Sequence, residues 1–167
     1  MDNPNTKCVK GSEIREPLFM RSKMSREEIR AFLSQPLVAR LATSDKGWPH
    51  VTSVWFEYDG ENFWVPIQAS TKKATEVKND KRVGLIVDTF VEPISKFNIT
   101  QVVVKGEAEL IKVPKEYGPD SLQKQTMKIW HRYLGDEPEE TLKKRMKIER
   151  CLVKIKPVKM YAIKDKW

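Results

Sequence analysis

The sequence predicts an α+β domain, mainly β, in which a barrel of antiparallel strands carries a few peripheral helices. Three observations predict it. Apolar, β-branched and aromatic runs recur from Leu37 to Ile163, parted by turn clusters such as Ser44-Asp45-Lys46-Gly47 and Asp59-Gly60, and short strands at that spacing belong to barrels and sandwiches. Helical periodicity is confined to one stretch before the first strand, one short stretch between strands and two near the C-terminus. The length of 167 residues, 40% of them apolar, suits one domain with a packed core; a chain of this size buries roughly 70% of the surface its unfolded form exposes.

Residues 1 to 24 have no sustained periodicity and read as an N-terminal arm; residues 25 to 167 read as a single domain. Ser25 and Glu28 have the spacing of a capping box, and Ile29, Phe32 and Leu33 then share a helix face that Pro36 ends. Three strands follow as a meander: Leu37 to Thr43, His50 to Tyr58 and Asn62 to Ile67, the last two joined by the Asp59-Gly60 hairpin. Ser70 to Lys78 reads as a short helix with Ser70 or Thr71 as its N-cap. Arg82 to Asp88 is a buried-type strand, Thr89 to Asn98 a loop, and Ile99 to Lys105 a strongly β-branched strand. Gly106 marks a bulge before the alternation of Glu107 to Val113. Pro119 to Leu134 is helical, with Gly135 as its C′ residue. Pro138 to Glu149 is a second, highly charged helix, and Cys151 to Ile163 is the last strand.

Composition narrows the function. The net charge of +8, from 31 Lys and Arg against 23 Asp and Glu, favours anionic partners, a phosphorylated cofactor or nucleic acid. The densest basic run, Lys143 to Lys147, is flanked by Glu139, Glu140 and Glu149 and reads as a solvated helix face, which speaks against nucleic acid. No apolar run approaches the roughly 20 residues that cross a bilayer. The first ten residues lack the apolar core of a signal peptide, so the expected compartment is the cytoplasm, with no membrane partner. Cys8 and Cys151 make neither a disulfide framework nor a zinc motif. His50 and His131 have no metal-ligand spacing, so no metal is expected, and two histidines leave little room for a hydrolytic triad.

The most informative segment runs from Pro66 to Lys78. A strand ends there and a helix opens with two hydroxyls and two lysines. Free N–H groups and the positive end of the dipole suit a helix start to phosphate. Two readings stand on local chemistry alone: a phosphate site, or an N-cap followed by solvated lysines.

The stretch from Leu37 to Leu110 resembles the FMN-binding split-barrel superfamily, typified by pyridoxamine 5′-phosphate oxidase. The resemblance rests on Pro49-His50-Val51-Thr52-Ser53-Val54-Trp55-Phe56, on Ser70-Thr71-Lys72-Lys73-Ala74, on Asn79 to Val87 and on Gln101 to Leu110, in that order. It implies a split β-barrel in which Val51, Thr52, Ser53, Val54, Trp55 and Phe56 line a flavin ring, largely through backbone groups. Pro66 and Ile67 meet the flavin from the returning strand. Lys72 and Lys73 bind the FMN phosphate with Ser70 and Thr71 in support, and Gln101 hydrogen-bonds the flavin. It also implies a homodimer with the cofactor at the interface, where Trp55 or Trp130 stacks on flavin and Trp130 or Trp167 reaches in from the second subunit.

The departures are specific. Val51 and Phe56 stand where the oxidase has an arginine and a lysine, and the C-terminal Lys164 to Trp167 lacks the oxidase's substrate segment. Oxidation of pyridoxamine phosphate is therefore not expected. The resemblance implies an FMN-dependent oxidoreductase acting on an unknown small substrate. Two alternatives stand beside it: a reductase using the deazaflavin coenzyme F420, and a non-enzymatic flavin- or heme-binding carrier or sensor. A related deazaflavin branch commonly has asparagine where this chain has Glu76, and a carboxylate near a phosphate is unfavourable.

Overall fold

The computed structural model describes residues 20–89, 99–114, 121–135 and 137–166. Cys8, residues 90–98 of the expected loop, Pro119 and Trp167 lie outside them. In chain order the elements are β1 (Met20–Lys23), α1 (Arg26–Leu33), β2 (Ala39–Asp45), β3 (Trp48–Val54), β4 (Glu57–Tyr58) and β5 (Phe63–Gln68). They continue with α2 (Lys72–Asn79), β6 (Arg82–Thr89), β7 (Thr100–Lys112), α3 (Ser121–Leu134), α4 (Glu139–Met146) and β8 (Arg150–Lys166). Among the described residues, no helix is long and apolar enough to cross a membrane.

Local chemistry explains most boundaries. The capping box at α1 is formed in both directions, Ser25 Oγ accepting from the Glu28 N–H and the Glu28 carboxylate from the Ser25 N–H. Lys46 and Gly47 both have positive φ, 49° and 89°, as a two-residue turn of the primed type requires between β2 and β3. Gly135, at φ 70°, ends α3 by donating its N–H to the His131 carbonyl.

All eight strands join one antiparallel sheet in the order β3-β2-β6-β7-β8-β5-β4, and β1 pairs with the far end of β8. The expected arm therefore ends in a strand at residues 20–23. The expected meander does not form. β3 pairs with β2, whereas β5 pairs with β4 and β8, so the single strand expected from His50 to Tyr58 is two strands at opposite ends of the sheet. Seven strands spaced about 4.8 Å apart would hold the outer two roughly 29 Å apart if the sheet were flat. Val54 and Glu57 are three residues apart, and an extended chain spans that in about 11 Å at most. The sheet must curl until its ends meet, which makes it a split barrel.

Helix α3 clamps the break. Phe56 N–H donates to Tyr133 Oη (3.3 Å), Tyr133 Oη–H donates to the Leu37 carbonyl (2.6 Å), and Arg132 donates to the Phe56 carbonyl (3.1 Å). Buried Glu57 accepts from Gln125 at 2.6 Å and pairs with Lys128. The backbone at Phe56 thus exchanges ladder partners for side-chain partners, which is why the strand stops there.

Inward residues alternate along the strands, as in Ala39 and Leu41, Val83, Leu85 and Val87, and Phe63, Val65 and Ile67. Phe32 and Leu33 of α1 and Ala74 and Val77 of α2 enter the same core. A second cluster outside the barrel joins Ile129 and Trp130 of α3 to Val113 and Leu152. The strand expected from Ile99, continuing past Gly106 to Val113, is β7, and the bulge expected at Gly106 is present. There the β7–β8 pairing steps from Lys105↔Lys159 to Gly106↔Pro157, leaving Val158 as the extra residue.

Two substitutions test this account. A Cβ on Gly106 would stand 2.7 Å from Ile155 Cγ2 and 2.8 Å from the Lys156 carbonyl oxygen. Gly106→Ala is expected to cost about 1–3 kcal/mol through overpacking, read as a lower urea midpoint. Tyr133→Phe keeps the ring and orphans the Phe56 N–H, for an expected loss of about 1–3 kcal/mol in the same assay; an unchanged midpoint would remove the clamp from this account.

Candidate functional site

A cleft of about 490 Å³ opens where the ends of β3 and β5 meet the starts of α2 and β8. Val38, Ser53, Val54, Trp55, Pro66, Ile67, Gln68, Thr71, Lys73 and Arg150 line it. The β5–β8 register sets Gln68 opposite Arg150, and the Ala69 N–H donates to the Glu149 carbonyl at 2.9 Å. The end of chain segment 63–68 is thereby tied to the start of the last strand, far away in sequence.

The start of α2 is open. Thr71 occupies the N-cap position, but its hydroxyl donates back to the Gln68 carbonyl at 2.8 Å, so no side chain caps the first turn. Among the described residues, Lys73 has no ion-pair partner. Lys72 lies on another face of α2: its Nζ is 3.0 Å from Asp45 Oδ2 and 3.7 Å from Glu76 Oε1. The Asp45 hydrogen bond, reinforced by charge, holds the Lys72 ammonium above its ordinary pKa.

Glu76 is buried, with its Oε2 accepting from Thr43 Oγ1 at 2.5 Å and from His50 Nδ1 at 2.7 Å. Burial pushes its carboxyl upward, but the Thr43 and His50 hydrogen bonds and the charges of His50 and Lys72 outweigh it and hold the group below its ordinary value. The carboxylate thus faces β2 and β3, with Lys72 as its nearby ammonium. Among the described residues no group of three or more His, Cys, Asp and Glu side chains could hold a metal ion.

The cleft brings together Ser53, Val54, Trp55, Pro66, Ile67, Thr71 and Lys73 of the residues singled out in the sequence. The others lie elsewhere. Val51 is well exposed on the edge strand, and Phe56 is fully buried in the barrel core. Thr52 faces Leu41 across the β2–β3 ladder, and Ser70 is exposed beside the helix start. Gln101 sits in β7 between Asp88 of β6 and Ile163 of β8. Trp55 lines the cleft and stacks on Tyr133, with centroids 5.1 Å apart and planes at 8°. Trp130 is 4% exposed within the second core cluster, so its own chain covers it. Trp64 packs at the edge of that cluster and donates its indole N–H to Asp59.

Arg150 was not legible as a site residue. Its guanidinium lies over the Trp130 ring, 5.0 Å from the centroid, and Nε and Nη2 donate to the Arg145 carbonyl at 3.4 and 3.3 Å. Burial, with the nearby charge of Arg145, lowers its pKa. Nothing local marks this residue among the neighbouring lysines and arginines; only the pairing of β8 with β5 delivers it to the cleft.

Residues 25–164 match the family model described as pyridoxamine 5′-phosphate oxidase. Among solved structures, a conserved hypothetical protein from Mycobacterium tuberculosis is 26% identical with a TM-score of 0.68, over 84% of this chain and 85% of that one. An F420 reductase is 24% identical with a TM-score of 0.60, over 78% of this chain and 94% of that one. An FAD-binding protein from Mesorhizobium loti is 18% identical with a TM-score of 0.64, over 89% of this chain and 99% of that one. The last two likenesses are of fold. The sequence has no match among curated proteins.

The Glu76 cluster predicts a pH dependence. A carboxyl held below its ordinary value, 4.5, stabilises the fold fully above that pH and loses the contribution as pH falls through the lowered folded value. Thr43→Val removes one donor at nearly constant volume. It is expected to cost about 1–2 kcal/mol at neutral pH and, by moving the folded-state value back up, to shrink the loss of stability on acidification, seen as a shallower fall of the urea midpoints across the acid range. Coincident acid limbs for the two proteins would separate Thr43 from Glu76 ionisation.

Proposed function

Because the chain belongs to the pyridoxamine 5′-phosphate oxidase family, we propose that it is a flavin-dependent oxidoreductase that holds FMN in the cleft between β3, β5 and α2. One observation carries the reading: residues 53–55, 66–67, Thr71 and Lys73, singled out by the resemblance, line one cleft despite the strand break and the sheet closure that lie between them. Its volume is in the range of small-molecule sites. Its chemistry also suits the cofactor. Ser53 to Trp55 and Pro66 to Ile67 offer an apolar, backbone-rich wall for an aromatic ring, and Thr71, Lys73 and the uncapped turn of α2 offer N–H groups and charge for a phosphate.

Bound flavin would supply the hydride exchange, and the protein would bind, orient and tune it. Ser53, Val54 and Trp55 fix one wall of the cleft, and the stacked Tyr133 holds the Trp55 indole in place. Thr71 and Lys73 hold the anionic end. Of the remaining predicted residues, Val51, Thr52, Phe56, Ser70 and Gln101 act through a second subunit or by supporting these walls. Exposed Val38 in the cleft wall and exposed Trp48 and Val51 on the edge strand β3 support a homodimer whose partner completes the site. The substrate is a small molecule able to enter that shared cleft. Glu76 faces β2 and β3 beside Lys72, so its carboxylate does not decide between FMN and the deazaflavin, which titration separates.

Purified protein titrated with FMN is expected to quench flavin fluorescence and saturate at one FMN per subunit. Lys73→Ala is expected to weaken FMN roughly tenfold or more while leaving phosphate-free riboflavin nearly unaffected, the value of one charge-assisted contact. Binding of the deazaflavin alone would transfer the reading to a deazaflavin reductase, and a Soret band on heme addition with no flavin binding would transfer it to a heme carrier.

A further inference from the structure

We propose that Arg150, and not Lys72, is the partner of Lys73 in gripping the anionic end of the ligand. The inference rests on the reading of the cleft as a flavin nucleotide site and names the group that gives it phosphate selectivity.

Four observations converge. First, Lys72 is committed: Asp45 and Glu76 take up its charge on another face of α2. Second, Arg150 and Lys73 line the same cleft, and among the described residues neither has a carboxylate within ion-pair distance. A half-buried guanidinium with no counter-ion is costly, and an anion arriving in the cleft relieves that cost. Third, Arg150 is held in place before any ligand arrives. Its plane rests over Trp130 and two of its nitrogens donate to the Arg145 carbonyl, which leaves Nη1 without a protein acceptor among the described residues. Guanidinium N–H groups in a fixed plane suit phosphate oxygens, and prior immobilisation lowers the entropic cost of binding. Fourth, Arg150 pairs with Gln68, and the Thr71 N–H donates to the Gln68 carbonyl at 3.2 Å, so the arginine stands beside the turn that leads into α2.

The assignment also accounts for a deficit. Val51 and Phe56 stand where the resemblance leads one to expect an arginine and a lysine. Arg150 restores a guanidinium to the site from the last strand. The ligand class is a phosphate ester, with the flavin phosphate as the occupant.

The test compares Arg150→Met, Arg150→Lys and Lys72→Ala in parallel titrations with FMN and riboflavin, each variant checked by circular dichroism and melting temperature. Methionine keeps an apolar stem over Trp130 while removing the charge. Arg150→Met is expected to weaken FMN roughly tenfold or more with riboflavin changed by less than about twofold, Arg150→Lys to recover part of the loss, and Lys72→Ala to cost less than about threefold. Equal losses for FMN and riboflavin, an unchanged FMN affinity, or a larger loss in Lys72→Ala than in Arg150→Met would each overturn the assignment. Should the wild type bind no flavin, the proposed function fails by itself. Inorganic phosphate then decides the arginine: a thermal stabilisation that Arg150→Met abolishes keeps the anion site, and no stabilisation of the wild type removes it.

Discussion

Trp55 and Phe56 bridge strands that lie at opposite ends of one sheet, and so short a bridge obliges the sheet to close on itself. The closure breaks the hydrogen-bond ladder at one place, and each consequence of the break is met by α3. Tyr133 and Arg132 satisfy the Phe56 backbone, and Gln125 and Lys128 hold Glu57. A backbone group left unpaired there would cost about 1–3 kcal/mol, so α3 is tied to the barrel by polar contacts as well as by the cluster around Trp130. The break also creates the cleft, because the strand that leaves the ladder at Val54 frees Ser53, Val54 and Trp55 to form a wall.

The second organising interaction is the buried carboxylate of Glu76. A charge can be buried only where partners satisfy it. Thr43 and His50 bond Glu76 Oε2 and Lys72 Nζ stands 3.7 Å from its Oε1, all on the side of α2 that faces β2 and β3. Together with the burial of Ala74 and Val77, this fixes the rotation of the helix about its axis. Lys72 is then committed to the carboxylates and Lys73 is turned to the cleft. Adjacent lysines of the same type thus acquire different duties from one helical step of about 100°.

Much of the site was legible because its signals are local. Hydroxyls and lysines after a strand mark a helix start whatever the rest of the chain does, and Thr71 and Lys73 do line the cleft. The division of labour between Lys72 and Lys73 was not legible, since it depends on Asp45 and Glu76, one of them at the end of a strand 27 positions upstream. Phe56 read as a member of one continuous strand; its burial in the core and the loss of its ladder partners come from closure. Trp130 read as an aromatic free to stack on a ligand, yet Leu152 of β8 and Val113 just past the end of β7 pack with it, and they lie next to it only in the folded chain. Arg150 carried no local mark at all.

The sequence by itself determined the class of the fold, the capping box at Ser25, the turns at Lys46-Gly47 and Asp59-Gly60, the bulge at Gly106 and the helix that opens after Ser70. These follow from backbone preferences and periodicities that act over a few residues. Tertiary structure decided which strands pair, where one strand becomes two, which lysine keeps a free charge and that residue 150 stands beside residue 68. Those outcomes depend on competition among distant partners for hydrogen bonds and burial, and that competition is settled only when the sheet closes.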